Sequence, residues 1–124
     1  MSNISEFFDQ KVVLITGSSG FVGKCLLEKI LRSTHVTQVY CLLRPKTGKT
    51  AERRLQELLK ESLFSKLTPN QLSKALAICG DVTLPEMGLN PLERESLSEN
   101  VQIVFNCAAT IRFDEPIRSD ICAN

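Results

Sequence analysis

The chain has 124 residues, a length that suits one small domain or a part of a larger one. Its 43% of apolar and 23% of charged residues exclude a disordered, collagenous or low-complexity chain. Lysine and arginine number 15 against 14 aspartates and glutamates, so the overall charge gives no basis for binding nucleic acid.

Short apolar runs alternate with segments of helical spacing along the chain. In chain order the predicted elements are a strand at 11–16, a helix at 21–32, a strand at 38–43, a helix capped by Thr50, a short helix opened by Pro69, a strand at 75–79, a helix opened by Pro91 and a strand at 101–107. Strands that are apolar almost throughout and separated by helices indicate a parallel sheet covered on both faces. The predicted fold is therefore α/β, a doubly wound, Rossmann-like sheet of about four parallel strands with helices on both faces.

The end of the chain predicts that this sheet is incomplete. The run at 101–107 has the composition of a central strand, yet no later run follows that could cover its far edge. The sequence also stops at Asn124 inside a helical pattern that begins near Glu115. We therefore expect residues 1–124 to be one partial domain, the N-terminal half of such a fold and a piece of a longer protein.

The cysteines and the single histidine give no basis for a metal or disulfide site. The cysteines stand at 25, 41, 79, 107 and 122, an odd number without a Cys-x-x-Cys pair. Cys41, Cys79 and Cys107 lie in apolar runs and are predicted to be inert core thiols. His35 is predicted to be a solvated loop residue, so we expect neither a metal centre nor Cys/His catalysis.

A glycine loop follows the first predicted strand and opens the first helix, with the spacing Gly-x-x-Gly-x-x-Gly. Gly17 would permit the tight turn, Gly20 the approach of a pyrophosphate, and Gly23 the close packing of the helix. The free N–H groups and the dipole of the helix N-terminus would then face the phosphates. The residues predicted to hold a dinucleotide here are Thr16, Gly17, Ser18, Ser19, Gly20, Phe21, Val22 and Gly23.

The residues after the second strand favour NADPH over NADH. An NAD site usually has an acidic residue there for the ribose 2′-hydroxyl, but no Asp or Glu occurs between positions 28 and 52. Arg44 stands at that position, and a guanidinium can bind a 2′-phosphate through two hydrogen bonds. Lys46 and Lys49 could add positive potential, but the alternative for Lys46, Lys49, Arg53 and Arg54 alike is a solvated face, and this is the interpretation given to Arg53 and Arg54.

Two further strand ends complete the predicted cofactor site. Asp81, followed by Val82, could accept a hydrogen bond from an adenine amino group, or it could instead cap a turn. Cys107, Ala108 and Ala109 follow the fourth strand at the edge where ligands bind in such sheets. The small residues there would leave room for ribose or nicotinamide, unless they pack tightly under a helix.

These motifs together resemble animal fatty acyl-CoA reductases, in the extended short-chain dehydrogenase/reductase superfamily. The matching segments, which lie between about residue 8 and residue 124, are Thr16-Gly-x-x-Gly-Phe-x-Gly-Lys24, Leu42-Leu-Arg-Pro-Lys46, Gly80-Asp81 and Cys107-Ala-Ala-Thr-Ile-Arg-Phe-Asp-Glu115. The glycine loop is shared by very many extended reductases, whereas the last segment is much more specific.

The resemblance implies NADPH-dependent reduction of a long-chain acyl-CoA to a primary alcohol, with most of the acyl-CoA site outside this chain. It also implies that Arg112 and Phe113 shape the junction of nicotinamide and acyl chain, and that Asn124 steadies a helix near a catalytic lysine. The superfamily's Tyr-x-x-x-Lys pair is missing, because the only tyrosine, Tyr40, is followed four positions later by Arg44. We therefore expect no catalytic residue in this chain and no activity from it alone.

Location and membrane attachment are expectations of the same kind. No apolar run approaches the ~18 residues of a membrane span, and the N-terminus lacks the segments of a signal peptide. The chain is expected to face the cytosol. The resemblance implies that a full-length protein could be peroxisomal or attached to the endoplasmic reticulum through a C-terminal region.

Two other interpretations stay open. The chain could belong to another extended reductase, such as a thioester reductase domain or a nucleotide-sugar epimerase. Epimerases generally use NAD, so a clear NADPH preference would count against them. The chain could instead be a truncated, non-catalytic isoform that binds a nucleotide.

Overall fold

The computed structural model describes residues 6–81 and 83–107, in which four strands form one parallel sheet. The strands are β1 (Val12–Thr16), β2 (Gln38–Leu43), β3 (Ala75–Cys79) and β4 (Ile103–Asn106). Their order across the sheet is β3-β2-β1-β4, and each neighbouring pair is parallel. This arrangement confirms the predicted parallel α/β sheet.

Four α-helices connect these strands in the described residues: α1 (Phe21–Ser33), α2 (Ala51–Leu59), α3 (Pro69–Leu72) and α4 (Pro91–Asn100). A single turn of 3-10 helix lies at Ser62–Phe64, and Pro85–Gly88 forms a further tight turn. The predicted helix starts are confirmed by their caps. Thr50 accepts a hydrogen bond from the N–H of Arg53, and Thr68 and Asn90 each form a reciprocal capping box. None of these helices is long and apolar enough to cross a bilayer.

Side chains from the two faces of the sheet form separate apolar clusters, as the alternation of a strand requires. Val13 and Ile15 of β1 pack on one face with Leu27 of α1 and Leu55 of α2. Leu14 points to the other face and packs in a cluster that includes Leu42, Leu89 and Leu97, the last from α4. Helices therefore cover both faces, as the sequence predicted.

The fourth strand is shorter than the predicted 101–107. The N–H of Val101 donates to the carbonyl of Leu97 and closes α4, so this residue belongs to the helix end. Gln102 is bound to Val12 of β1 through its main-chain N–H, which donates to the Val12 carbonyl at 2.9 Å, and through its Oε1, which accepts the N–H of Val12 at 2.7 Å. The regular pairing of the strand begins at Ile103.

The predictions for the thiols hold only in part. Cys41 is buried in the middle of the sheet and Cys107 is half-buried, but Cys79 is exposed. The prediction of Cys79 as a core thiol is wrong, because it is the last residue of β3, the outer strand of the described sheet. His35 is exposed, as predicted, with its Nδ1 3.6 Å from Oδ1 of Asp9.

The loop between β3 and α4 has unusual backbone angles. Glu86, Met87 and Gly88 have φ values of +53°, +61° and +69°, which place three consecutive residues in the left-handed region. The Met87 carbonyl accepts the N–H of Asp81 at 2.8 Å, so the loop folds back onto the end of β3. This turn fixes the backbone next to one of the predicted site residues.

Candidate functional site

The carboxyl ends of the strands meet at one edge of the sheet, at the point where the strand order reverses. β1 pairs with β2 on one side and with β4 on the other, while the chain visits β2 and β3 before it returns to β4. In open α/β sheets, the crevice at such a reversal is where ligands bind. The loops that follow Thr16, Leu43, Cys79 and Asn106 border this edge, and most of the predicted site residues that the structure describes lie in or beside them.

The glycine loop packs tightly against its own helix. Gly17 has φ +78°, a left-handed conformation that a residue with a side chain rarely adopts. A Cβ added at Gly23 would lie 2.0 Å from the Gly17 carbonyl oxygen and 2.8 Å from Cα of Ser18. Gly23 is therefore required by the internal packing of loop on helix.

Gly20 differs from these two glycines, because nothing inside the described protein requires it. Its backbone is extended (φ −80°), and an added Cβ would make only an ordinary contact of 3.5 Å with the Gly17 carbonyl oxygen. It is also the N-cap of α1, a position where Ser, Thr, Asp or Asn is commoner. Because glycine has no side chain, a ligand can come close to the main chain at this position, and the pyrophosphate of a dinucleotide requires such an approach.

The N-terminus of α1 is open to that ligand. No side chain caps it and no acidic residue stands in its first turn, so the N–H groups of Phe21, Val22 and Gly23 have no partner within the helix. The side chains of Phe21 and Val22 are exposed, at 79% and 67%. This terminus therefore presents hydrogen-bond donors and a positive dipole end to an anion.

Ser18 lies in the glycine loop, but its side chain faces the core. The hydroxyl is fully buried and has no hydrogen-bond partner among the described residues. It lies near the buried thiol of Cys41, whose pKa is raised by burial to about 12; the Ser18 hydroxyl acts in the opposite direction, although its geometry falls short of a hydrogen bond. Ser18 can therefore contribute to the predicted site through its backbone.

Replacing Ser18 by alanine should leave stability unchanged or raise it by about 1 kcal/mol, because a buried hydroxyl without a partner costs stability. Chemical denaturation of the full-length protein would measure the change. Ser19→Ala, at the exposed neighbouring position, is the matched control and should stay within about 0.5 kcal/mol of the parent. A loss above about 1 kcal/mol for Ser18→Ala alone would show that the hydroxyl is bonded in solution.

A cleft of about 250 Å³ opens between the glycine loop and α2. We call it the basic cleft, and it is lined by Ser19, Leu43, Lys46, Lys49, Arg54, Glu57, Leu58 and Glu61. Lys49 binds Glu57 at 2.7 Å and lowers the pKa of that carboxyl, with a further contribution from Arg53. Both glutamates are thus already paired, since Lys24 binds Glu61 at 2.9 Å.

Two cations of the basic cleft have no carboxylate partner within the described ranges. Lys46 lies in a turn whose ends, Lys46 and Lys49, exchange backbone hydrogen bonds of 3.1 and 2.8 Å. Arg54 donates through Nη1 to the main-chain carbonyl of Arg44. Their charges remain available to a bound anion, which suits a phosphate.

Arg44 itself is exposed at the end of β2, and its guanidinium faces Asp81 across the sheet edge. Nη1 of Arg44 lies 3.9 Å from Oδ2 of Asp81. The other carboxylate oxygen, Oδ1, accepts the hydroxyl of Thr83 at 2.6 Å and the N–H of Thr83 at 2.9 Å. These hydrogen bonds and the Arg44 charge lower the pKa of Asp81, which caps a turn as the second of its two interpretations expected.

The end of β4 is tied to the glycine loop. The hydroxyl of Thr16 donates to Oδ1 of Asn106 at 2.7 Å, and the N–H of Cys107 donates to the Thr16 carbonyl at 2.9 Å. Cys107 therefore lies at the site edge. Several predicted residues fall outside the described residues: Val82, Ala108, Ala109, Arg112, Phe113, the helix near Glu115, Cys122 and Asn124.

Sequence reasoning missed the roles of Arg54 and Thr83. Arg54 was interpreted as solvated, yet it is half-buried and lines the basic cleft. A usable signal existed, because Thr50 fixes the start of α2 and Arg54 then stands three residues after the buried Ala51 and four before the buried Leu58. No pattern of residue types marked Thr83, whose role depends on the fold of the loop after β3.

Comparison with known proteins agrees with this geometry. A protein-family model described as "Male sterility protein", an NAD-binding domain, matches residues 15–124. Fatty acyl-CoA reductase 1 of Gallus gallus is 43% identical over 128 residues, which cover 100% of this chain and 25% of the relative. Fatty acyl-CoA reductase wat of Drosophila melanogaster is 41% identical, covering 99% of this chain and 24% of the relative.

Among solved structures, the terminal R domain from the myxalamid PKS-NRPS biosynthetic pathway is similar, with a TM-score of 0.71 and 28% identity. The alignment covers 94% of this chain and 29% of that one. The chain thus spans about a quarter of the length of the curated relatives that it matches. An NAD-binding domain implies a nicotinamide cofactor, which fits the bare Gly20 and the open N-terminus of α1. The chain belongs to the NAD-binding family described as male sterility protein.

Proposed function

We propose that this chain is the cofactor-binding part of an NADPH-dependent reductase that converts long-chain fatty acyl-CoA to a primary alcohol. The observation that carries the proposal is the 41–43% identity to fatty acyl-CoA reductases, which extends over the whole chain. The relatives are about four times longer, so the acyl-CoA site is assigned to parts of the protein outside this chain.

The basic cleft supports NADPH as the cofactor. Arg44, Lys46 and Arg54 place three positive charges at or near the end of β2, and no Asp or Glu follows β2 in the sequence before position 52 to bind a ribose 2′-hydroxyl. Glu57 and Glu61 are held by lysines, which reduces their repulsion of a phosphate. A 2′-phosphate would therefore find donors and positive potential in this cleft.

The nicotinamide ring supplies hydride, and two hydrides with two protons convert one acyl thioester to an alcohol and free CoA through an aldehyde. The described residues would bind the dinucleotide and orient it. The glycine loop and the N-terminus of α1 would hold the pyrophosphate, while the Thr16–Asn106 hydrogen bond fixes the sheet edge beside it. Tyr40 is half-buried in the cluster beneath α4, so it supplies no proton to this edge.

The test is product analysis with the full-length protein. Hexadecanoyl-CoA and NADPH should give hexadecanol, detected by gas chromatography, with two NADPH oxidised for each CoA released. The chain of residues 1–124 alone should give neither product nor NADPH oxidation, because it lacks a Tyr-x-x-x-Lys proton donor. Hexadecanol formation by residues 1–124 would contradict that assignment of the chemistry.

Other outcomes would favour the other interpretations. Reduction of an acyl group only when it is attached to a carrier protein would favour a thioester reductase domain, in line with the similarity to an R domain. A preference for NADH together with epimerisation of a nucleotide sugar would favour an epimerase. Nucleotide binding without any turnover would favour the non-catalytic isoform.

A further inference from the structure

Asp81 is held on almost every side by the loop that follows β3. Its N–H donates to the Met87 carbonyl at 2.8 Å, and its carbonyl accepts the N–H of Leu84 at 3.0 Å. Its Oδ1 accepts both the N–H of Thr83 at 2.9 Å and the hydroxyl of Thr83 at 2.6 Å. The orientation of this carboxylate is therefore fixed, and Oδ2 is the oxygen that faces Arg44.

Asp81 attracts the guanidinium of Arg44 without using its hydrogen-bond donors. The 3.9 Å between Nη1 and Oδ2 is close enough for Coulomb attraction but too long for a hydrogen bond. The guanidinium N–H groups therefore remain free to bind another anion. The main chain of Arg44 is held at the same time by Arg54.

We propose that Thr83 is a positioning residue for cofactor specificity, which acts through Asp81 to hold Arg44 in place for the 2′-phosphate. The hydroxyl of Thr83 fixes the carboxylate of Asp81, and that carboxylate fixes the guanidinium. Pre-organisation of this kind saves the entropy that a free arginine side chain would lose on binding. The inference rests on the proposed use of NADPH.

A different role for Asp81, as an acceptor for the adenine amino group, makes a different prediction. Adenine is present in both NADPH and NADH, so loss of that role would weaken both nucleotides equally. Loss of the positioning role would weaken only nucleotides that carry a 2′-phosphate. The two roles are thus separable by a pair of ligands that differ in this phosphate alone.

The experiment is calorimetric titration of the full-length protein with adenosine 2′,5′-bisphosphate and with adenosine 5′-monophosphate. Thr83→Val removes the hydroxyl but keeps the size of the side chain and the charge of Asp81. We expect about three- to tenfold weaker binding of the bisphosphate and unchanged binding of the monophosphate. Thr83→Ser keeps a hydroxyl at this position and should therefore restore the affinity for the bisphosphate that Thr83→Val loses. Thr83 is exposed, so both variants should fold.

Equal weakening of both ligands, no weakening of either, or failure of Thr83→Ser to restore the affinity would each overturn the positioning role. Arg44→Ala separates this failure from a failure of the proposed function. If Arg44→Ala removes the preference for the bisphosphate while Thr83→Val leaves it intact, only the positioning role is wrong. If the parent protein binds the bisphosphate no more tightly than the monophosphate, the NADPH assignment is wrong. The positioning role is then wrong as well, because it depends on that assignment.

Discussion

Gly20→Val should weaken cofactor binding by about a hundredfold or more while the protein stays folded. A Cβ added at Gly20 would meet only one ordinary contact inside the described protein, and the backbone angles there suit any residue, so the fold should accept valine. The same side chain would occupy the space in front of the open N–H groups of α1, where the pyrophosphate is expected to bind. Loss of two charge-assisted hydrogen bonds, at roughly 1.5–3 kcal/mol each, corresponds to a loss of this size.

Titration of the full-length protein with NADPH would measure the loss of affinity, and thermal melting would show whether the protein stays folded. Gly23→Ala is the contrasting variant, because its Cβ would lie 2.0 Å from the Gly17 carbonyl oxygen and must displace the loop. We expect Gly23→Ala to lower the melting temperature as well as the affinity. Unchanged affinity in a folded Gly20→Val protein would refute the placement of the pyrophosphate.

Arg44→Ala should weaken NADPH by about ten- to a hundredfold and leave NADH nearly unchanged. The expected difference follows from one charge-assisted contact with the 2′-phosphate, worth roughly 1.5–3 kcal/mol. Dissociation constants for the two nucleotides, measured in the full-length protein at one fixed salt concentration, would test this. The salt concentration matters because screening weakens such contacts when they are exposed.

Arg53→Ala is the matched control for Arg44→Ala. Arg53 is also an exposed arginine close by, but it binds Glu57 at 3.4 Å and lies on α2 and not at the end of β2. It should change neither affinity by more than about twofold. Equal losses of NADPH and NADH in Arg44→Ala would show that Arg44 only supports the structure.

The sequence predicted the fold well, because its local signals agree with one another. Thr50 and Asn90 marked helix starts that the structure confirms with hydrogen bonds, and the four apolar runs all became strands. The spacing of the three glycines predicted a tight turn at Gly17, room for a pyrophosphate at Gly20 and close packing of the helix at Gly23. The structure shows the turn at Gly17 and the packing at Gly23 directly.

The parts that sequence reasoning missed depend on contacts between segments far apart in the chain. The exposure of Cys79 follows from the position of β3 at the outside of the described sheet, which no local pattern encodes. The link from Thr83 through Asp81 to Arg44 joins two strand ends across the sheet edge. Such contacts become visible only when the strand order is known.

The hydrogen bond between Thr16 and Asn106 joins residues 90 positions apart, and this separation bears on how the protein matures. The glycine loop and α1 are synthesised early, but the β4 side of the crevice beside them can form only after β4 has emerged from the ribosome and paired with β1. Closing so long a loop is entropically costly and makes this pairing slow. A nucleotide that binds only the completed crevice pulls the folding equilibrium toward the native sheet. We therefore expect a cofactor that is present during synthesis to raise the yield of folded protein.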